Sequence, residues 1–245
     1  MSINAIITVF KRNNYNNQLR SLLAQTILPA EIYIWQNESH VNVEIDKDIF
    51  ISASNMNIQI HHIHSINTNF KFHGRFTLPL LFQCDYVAIF DDDTVPGKKW
   101  FENCIRSVNT YNSIVGANGR TNIHNSNNEV GVGDGSPVDR DTIVDFVGHC
   151  WFFRREWIHH MWSFPAYTFV NGEDIHFAAS SKIRENISCV VPMQPHSDRD
   201  LWGDTQNYLG LDEYATWRTP THASDRENVK KYWVDLGWNT INKLK

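Results

Sequence analysis

Four short apolar runs, each broken off by polar residues, constrain the fold of this 245-residue chain more than any other feature. Between the runs, Leu19, Leu22 and Leu23 have helical spacing, and a second helix is predicted over 76–81, where Pro79 is tolerated in the first turn. Strands that alternate with helices in this way predict an α/β fold with a mixed, mostly parallel central sheet flanked by helices. The four predicted strands are 5–10, 31–35, 58–63 and 86–90.

Polar side chains follow three of these strands where each strand ends. Arg12 comes after the first strand, Asn37 after the second, and the aspartates 91–93 directly after the fourth. Ligands of parallel α/β sheets bind outside the carboxyl ends of the strands. We therefore expect these polar clusters to lie on one edge of the molecule and to form a binding site there.

The charge balance argues against a nucleic-acid-binding protein. The chain has 22 Lys and Arg against 27 Asp and Glu, whereas a protein that neutralises phosphates is usually basic. Hydrophobic residues make up 42% of the sequence, which allows a sizeable core and excludes disorder as the main state. No apolar stretch approaches about 18 residues, so we expect no membrane span. The absence of a signal-peptide pattern, together with four widely spaced cysteines that fit reduced thiols, favours a cytoplasmic protein.

The three consecutive aspartates need compensation, because adjacent carboxylates repel one another. Two carboxylates two residues apart can converge on one hard divalent ion, which also binds phosphate oxygens. The alternative is an acidic turn that merely follows a strand. A second acidic pair, Glu173 and Asp174, follows Asn171, a residue that can cap a helix. These acids either take part in the reaction or only stabilise the first turn of the helix through its dipole.

Histidines offer two further candidates for a metal site. His196 lies in a loop bounded by prolines, where it either completes a metal shell or is simply exposed. Of the group His61, His62 and His64, alternation along a strand places the last two on one face. No carboxylate accompanies this group, so we favour a structural role for it.

The segment Tyr86–Asp93 resembles the DxD motif of family-2-like nucleotide-sugar glycosyltransferases with the GT-A fold. The combined order of motifs over about residues 4–204 supports this resemblance more than any single motif does. The segment 147–153 looks closest to small glycosyltransferases encoded by large algal DNA viruses, which would place the protein in the host cytoplasm. Further segments that resemble the family are 7–12, 34–39 and 69–76.

The resemblance implies a role for each candidate residue. Mn²⁺ or Mg²⁺ would be held by Asp93, Asp91 and His196. Asp174, or failing that Glu173, would face the acceptor as the catalytic carboxylate, which is the general base in inverting members of the family. The nucleotide-sugar donor would contact Thr8, Phe10, Arg12, Asn37, Arg75, Asp91, Asp92 and Asp145. Arg199 and the nearby 202–204 would close over the donor.

The sequence therefore predicts a metal-dependent glycosyltransferase, with a UDP-linked sugar as donor and a glycan or glycoprotein hydroxyl as acceptor. We expect one GT-A domain over 1–245, with a nucleotide-binding half (about 1–115), an acceptor and catalytic half (about 116–210) and a C-terminal helical extension (211–245). The loop-rich segment 118–141 is a candidate lid. The alternatives are an inactive sugar- or nucleotide-binding module of the same fold and, less favoured, a DxD phosphatase, whose motif requires Thr where this chain has Val95.

Overall fold

The computed structural model describes residues 1–121, 123, 129–133, 138–203 and 211–241. The described strands are β1 (Ile3–Val9), β2 (Glu31–Asn37), β3 (Gln59–Ser65), β4 (Tyr86–Phe90), β5 (Ser113–Val115), β6 (Asn118–Thr121), β7 (Val130–Val132), β8 (Thr142–Val144), β9 (Phe146–Gly148), β10 (Cys150–Arg154) and β11 (Ser188–Val191). The described helices are α1 (Tyr15–Leu23), α2 (Lys47–Asn55), α3 (Trp100–Tyr111), α4 (Ile158–Met161), α5 (Glu173–Glu185) and α6 (His222–Asp235).

A central eight-stranded sheet organises the molecule, in the order β3-β2-β1-β4-β10-β5-β11-β8. The strands β3, β2, β1 and β4 run parallel, and β10 is antiparallel to β4 and β5. This mixed, mostly parallel sheet confirms the predicted fold class. The central strands β1 and β4 are almost wholly buried, which explains why they read as unbroken apolar runs in the sequence.

Helices cover the sheet. Helix α1 packs on β1, α3 packs on β5, β10 and β11, and α5 packs on β9 and β11. Large aromatic side chains fill the layer between helices and sheet, among them Phe76, Phe101 and Phe177, each no more than 1% exposed. A second, three-stranded antiparallel sheet, β7-β6-β9, lies beside the main one. Helix α6, in the C-terminal extension, packs against α5.

Two elements differ from the sequence prediction. Residues 40–57 show no clear periodicity in the sequence, yet they contain α2, which faces the core with Ile49 and Ala53, four residues apart. The helix predicted over 76–81 is instead a pair of short 3₁₀ turns, Gly74–Phe76 and Leu78–Leu81. The candidate lid, 118–141, falls in part on residues 122, 124–128 and 134–137, which lie outside the described residues.

The histidines of β3 have structural contacts, as favoured from the sequence. His61 stacks on Tyr33, and His62 lies 2.8 Å from the side-chain oxygen of Gln36. The four cysteines are free thiols, and three of them are buried. Among the described helices, none has the length and apolar character needed to cross a bilayer.

Candidate functional site

The triple aspartate lies where β4 ends, beside the start of its antiparallel neighbour β10. Register pairs Phe90 with Cys150, so His149 comes opposite Asp91. The Asp91 N–H donates a hydrogen bond of 3.0 Å to the His149 carbonyl, and the Thr94 hydroxyl donates another of 3.0 Å to the same oxygen. His149 has a left-handed backbone with φ of 63°, a conformation uncommon for residues other than glycine.

Side-chain atoms of Asp91, Asp93 and His149 meet at this strand end. One potential ligand atom from each residue lies within 4.8 Å of the other two. The Nδ1 atom of His149 lies 3.7 Å from a carboxylate oxygen of Asp93. Two carboxylates and an imidazole are a suitable ligand set for a divalent ion such as Mn²⁺.

Arg12, from the loop after β1, forms an ion pair with Asp92, the middle residue of the triple aspartate. Its Nη1 lies 2.6 Å from Asp92 Oδ1 and 3.4 Å from Asp93 Oδ2. Its Nε lies 2.7 Å from Asp212, a residue of the C-terminal extension. The guanidinium of Arg12 therefore connects the ends of two neighbouring strands, β1 and β4, to the C-terminal part of the chain.

Arg75 links the two acidic clusters of the sequence. Its guanidinium forms an ion pair with Asp91 on one side and another, at 2.9 Å, with Glu173 on the other. The Arg75 side chain is buried, and its guanidinium lies over the ring of Trp151 at 4.5 Å from the ring centroid. The strand-end aspartates and the start of α5 are thus one continuous site.

Asp174, the second residue of α5, is bound by an arginine of helix α6. Arg226 donates from Nη1 to Asp174 Oδ1 at 3.0 Å and from Nη2 to Oδ2 at 2.7 Å. Gly148 lies beside this carboxylate, because a Cβ atom on Gly148 would be 4.0 Å from Asp174 Oδ2. Asp174 is therefore a near neighbour of His149. Asn171 does not cap α5, since its Oδ1 accepts a hydrogen bond from Gly172, the residue that precedes the helix.

Burial and these ion pairs act on the carboxyl groups in opposite directions. Burial raises the pKa of Glu173 to about 7, assisted by the neighbouring charge of Asp174 and opposed by Arg75. Burial would also raise the pKa of Asp174, but the charge and hydrogen bonds of Arg226 outweigh it and hold that pKa below its ordinary value. Asp174 is consequently ionised at neutral pH, while Glu173 exchanges a proton there.

The strand-end aspartates differ among themselves in the same way. Burial raises the pKa of Asp91, and it raises the pKa of Asp92 to about 6 even though Arg12 opposes the shift. For Asp93 burial acts in the same direction, but the nearby His149 and Arg12 outweigh it and lower the pKa. Asp93 is thus the aspartate of this run that most readily carries negative charge.

The charge of the whole cluster suits a bound cation. Three guanidinium groups face six carboxylates through the ion pairs of the site, so negative charge is in excess. An excess of this kind among buried groups is costly unless a cation offsets it. Donor chemistry and charge therefore both fit a divalent metal at Asp91, Asp93 and His149.

Three of the predicted donor contacts lie at the same edge of the sheet. The Thr8 hydroxyl donates to the Phe90 carbonyl at 3.0 Å, directly before the aspartates. Phe10 packs edge-on against His40. Asn37 uses both ends of its amide to hold the loop after β3, since Nδ2 donates to the Lys71 carbonyl and Oδ1 accepts from the Phe70 N–H.

Three predicted residues, Asp145, His196 and Arg199, are not part of the group formed by Asp91, Asp93 and His149. Asp145 accepts a hydrogen bond from the Ile241 N–H at 2.6 Å, and it lines a small cavity that none of the clustered acids reaches. His196 is exposed. Arg199 is exposed and lies over the ring of Trp202 at 4.8 Å. Residue 204 lies outside the described residues.

Sequence reasoning missed three residues of the site: His149, Arg226 and Asp212. His149 stands between Gly148 and the apolar run that becomes β10, a local signal that a turn presents this imidazole. Arg226 carries no such signal, because it reaches Asp174 from 52 residues away through the packing of α6 on α5. Asp212 likewise meets Arg12 only through the fold, 200 residues along the chain.

A mostly parallel sheet with aspartates at the end of a central strand, next to the acidic start of a helix, is typical of the class of GT-A glycosyltransferases. The sequence model of the glycosyl transferase family 2 matches residues 5–162, well over half of the chain. This chain therefore belongs to glycosyl transferase family 2. No curated protein matches the sequence significantly.

Solved structures of S. aureus TarS have a similar fold. One has a TM-score of 0.50 and 14% sequence identity, and the alignment covers 79% of this chain and 37% of the TarS chain. The other, of TarS 1-349, has a TM-score of 0.51 and 14% sequence identity, and the alignment covers 80% of this chain and 61% of the TarS chain. This chain thus spans less than two thirds of either TarS structure, and at such identity the likeness concerns the fold alone.

Proposed function

We propose that this glycosyltransferase is metal-dependent and moves a hexosyl or pentosyl group from a UDP-linked donor to a hydroxyl of a glycan or glycoprotein. The observation that carries the proposal is the meeting of Asp91, Asp93 and His149 at the end of β4. One guanidinium, that of Arg75, separates this group from the acids that begin α5. A donor diphosphate at the first position would therefore lie next to an acceptor at the second.

The metal site of the proposal is Asp91, Asp93 and His149, with Mn²⁺ or Mg²⁺ as the ion. When bound, such an ion neutralises negative charge on the leaving diphosphate. Arg12 supports this site, because it holds Asp92 and Asp93 in place from the loop after β1. The end of β1 and the end of β2, with Thr8, Phe10 and Asn37, would border the nucleoside.

Asp174 is proposed as the residue that acts on the acceptor. In an inverting transfer it would accept the proton of the attacking hydroxyl, and in a retaining one its charge would support the cation-like sugar carbon. Arg226 supports either role, since it keeps Asp174 ionised and fixes both carboxylate oxygens. Glu173 is the second candidate, because a pKa of about 7 also suits a group that accepts a proton near neutral pH.

An inactive binding module of the same fold is the second candidate function. The observation in its favour is that Asp174 and Glu173 are both engaged by arginines. Membership of glycosyl transferase family 2 favours a transferase over the phosphatase alternative. Turnover of a nucleotide sugar separates the enzyme from the binding module.

Calorimetric titration with UDP, with and without Mn²⁺, tests the metal site. The wild-type protein should bind UDP more tightly with Mn²⁺, and folded Asp93→Ala should lose that gain. His149→Ala should lose most of it, whereas the matched variant His196→Ala should keep it, because His196 lies outside the ligand group. Equal UDP affinity with and without Mn²⁺ in the wild-type protein would overturn the proposed metal dependence.

A further inference from the structure

A second group of potential metal ligands lies away from the proposed donor site, where α4 packs against the end of α5. It comprises His159, His160 and Glu185, and one ligand atom from each lies within 4.8 Å of the other two. We propose that these three side chains bind a divalent transition-metal ion of the zinc type. The ion would fasten α4 to the C-terminal end of α5.

The buried histidine of this group gives the first argument. His160 is 1% exposed, and neither of its ring nitrogens makes a hydrogen bond within the described part of the chain. Leaving a buried polar atom without a partner costs free energy, so such atoms generally have a hydrogen-bond partner or bind a ligand such as a metal ion. The Nε2 atom of His160 lies 3.6 Å from Oε2 of Glu185. The Glu185 side chain is exposed, so an ion can reach this position from solvent.

The tautomer of His159 gives the second argument. Its Nδ1 atom faces the carbonyl of Glu156 at hydrogen-bonding distance, so Nδ1 carries the proton and donates it. The lone pair is therefore on Nε2, which lies 3.8 Å from Glu185 Oε1. Histidine ligands of metals typically donate their other N–H to a backbone carbonyl in this way, which fixes the ring.

The spacing and the donor types select the kind of ion. Ligands of a tetrahedral ion at about 2.0–2.1 Å lie about 3.3–3.5 Å from one another. The two imidazole Nε2 atoms lie 3.8 and 3.6 Å from the two different oxygens of the Glu185 carboxylate, which is near that spacing. Two imidazoles and one carboxylate suit zinc better than Mg²⁺ or Ca²⁺, which prefer oxygen ligands. A water molecule would complete the coordination.

The residues around this group are compatible with the positive charge of a bound divalent ion. Arg184, the nearest cationic neighbour in sequence, is held over the ring of Phe164 at 4.5 Å and donates to the Ser163 carbonyl. Helix α5 runs from Glu173 to Glu185, so a rise of about 1.5 Å per residue separates the two ends by about 18 Å. The zinc-type site is therefore distinct from the proposed donor site.

Zinc titration by calorimetry, in the Asp93→Ala background so that the donor site does not contribute, tests the proposal. We expect one Zn²⁺ per chain and a rise in melting temperature on binding. Glu185→Gln and His159→Ala, both at exposed positions, should weaken Zn²⁺ binding by at least about tenfold. The matched control Glu102→Gln changes an exposed helical glutamate outside the group and should bind as the background protein does.

Cobalt substitution gives an independent measurement. Co²⁺ in this site should show the visible absorption of a four-coordinate ion, and Glu185→Gln should lose it. Two results would overturn the proposal: Zn²⁺ affinity in Glu185→Gln and His159→Ala equal to that of Glu102→Gln, or Zn²⁺ binding that Asp93→Ala alone abolishes.

Discussion

At the scale of single residues, the site is a set of carboxylates whose properties are fixed by which arginine each one meets. Asp174 receives both donors of one guanidinium and stays ionised, whereas Glu173, equally buried, shares its arginine with Asp91. Adjacent acids in the same helical turn thus have pKa values shifted in opposite directions. Such a separation is how an enzyme assigns different roles to two similar groups.

Glu173 should make stability depend on pH in an unusual direction. Since burial raises its pKa from 4.5 to about 7, the folded protein keeps a proton that the unfolded chain has already released. This contribution to stability is complete below about pH 4.5 and is lost as the pH rises towards 7. Glu173→Gln retains the uncharged form, so in metal-free buffer it should gain up to about 3 kcal/mol on the wild-type protein between pH 4.5 and 7.

Urea unfolding of both proteins at several pH values measures this difference. Every other titrating group is present in both proteins, so their difference reports Glu173 together with its interaction with Asp174 and Asp91. A constant difference across that pH range would show that the Glu173 carboxyl is not strained by burial.

Asp174→Asn tests the proposed role in transfer. Asparagine keeps the shape of the side chain but cannot accept the proton, so turnover should fall by on the order of 10²–10⁴. Binding of UDP with Mn²⁺ should remain, because Asp174 is not among the metal ligands. If Asp174→Asn transferred sugar at nearly the wild-type rate, the catalytic role would pass to Glu173.

At the scale of elements, α6 of the C-terminal extension contacts both the core and the candidate site. Arg226 of this helix is the partner of Asp174, and Trp233 of the same helix is fully buried between Phe164 and His176. One helix therefore contributes both to the core and to the electrostatics of the site.

Arg226→Gln should lower turnover without changing donor binding. Loss of the guanidinium leaves Asp174 buried without its counter-charge, so the pKa of Asp174 should rise. The acidic limb of the pH–rate profile should then move to higher pH, and turnover at neutral pH should fall by up to about 10²-fold as the carboxylate loses its position. Arg226→Lys should restore part of the rate. A purely structural role would lower the melting temperature and leave the pH–rate profile in place.

Trp233→Ala should destabilise the protein by about 3–5 kcal/mol, the cost of removing a large buried side chain. Trp217, 54% exposed, provides the matched control, and Trp217→Ala should change the free energy of unfolding by much less. Urea unfolding measures both. A loss below about 1 kcal/mol in Trp233→Ala would mean that α6 is only loosely attached.

The sequence predicts elements well where hydrophobic periodicity is strong and poorly where packing decides. Strand β4 has the predicted bounds, because an apolar run buried on both faces ends at charged residues. Helix α2 was missed because its β-branched and serine residues are weak helix formers, and only two of its side chains face the core. Turn formation by 3₁₀ bonds over 76–81 depends on tertiary contacts that no local pattern shows.

The same distinction holds for the site. The acids at 91–93 and 173–174 could be predicted because each cluster follows a recognisable local signal, a strand end or a helix start. Their partners could not, because His149 and Arg226 reach them through strand pairing and helix packing across long stretches of chain. His196, predicted as a metal ligand from motif order, lies outside the group of Asp91, Asp93 and His149, and its role as a ligand stays a prediction.

At the scale of the whole molecule, the parallel half of the sheet and the second half of the chain bring two acidic clusters to one edge. Arg12 and Arg75 connect strand ends, C-terminal extension and α5 across that edge. We therefore propose that donor binding and transfer take place at a single, metal-dependent site.

Release of UDP from UDP-sugars, measured with a panel of glycan acceptors and with the products assigned by NMR, tests that claim most directly. If the metal site is correct, we expect sugar transfer that requires Mn²⁺ or Mg²⁺, stops when the metal is chelated, and is lost in folded Asp93→Ala. The anomeric configuration of the product then decides between inverting and retaining transfer. Transfer that continues at the wild-type rate in chelator and in Asp93→Ala would contradict the account.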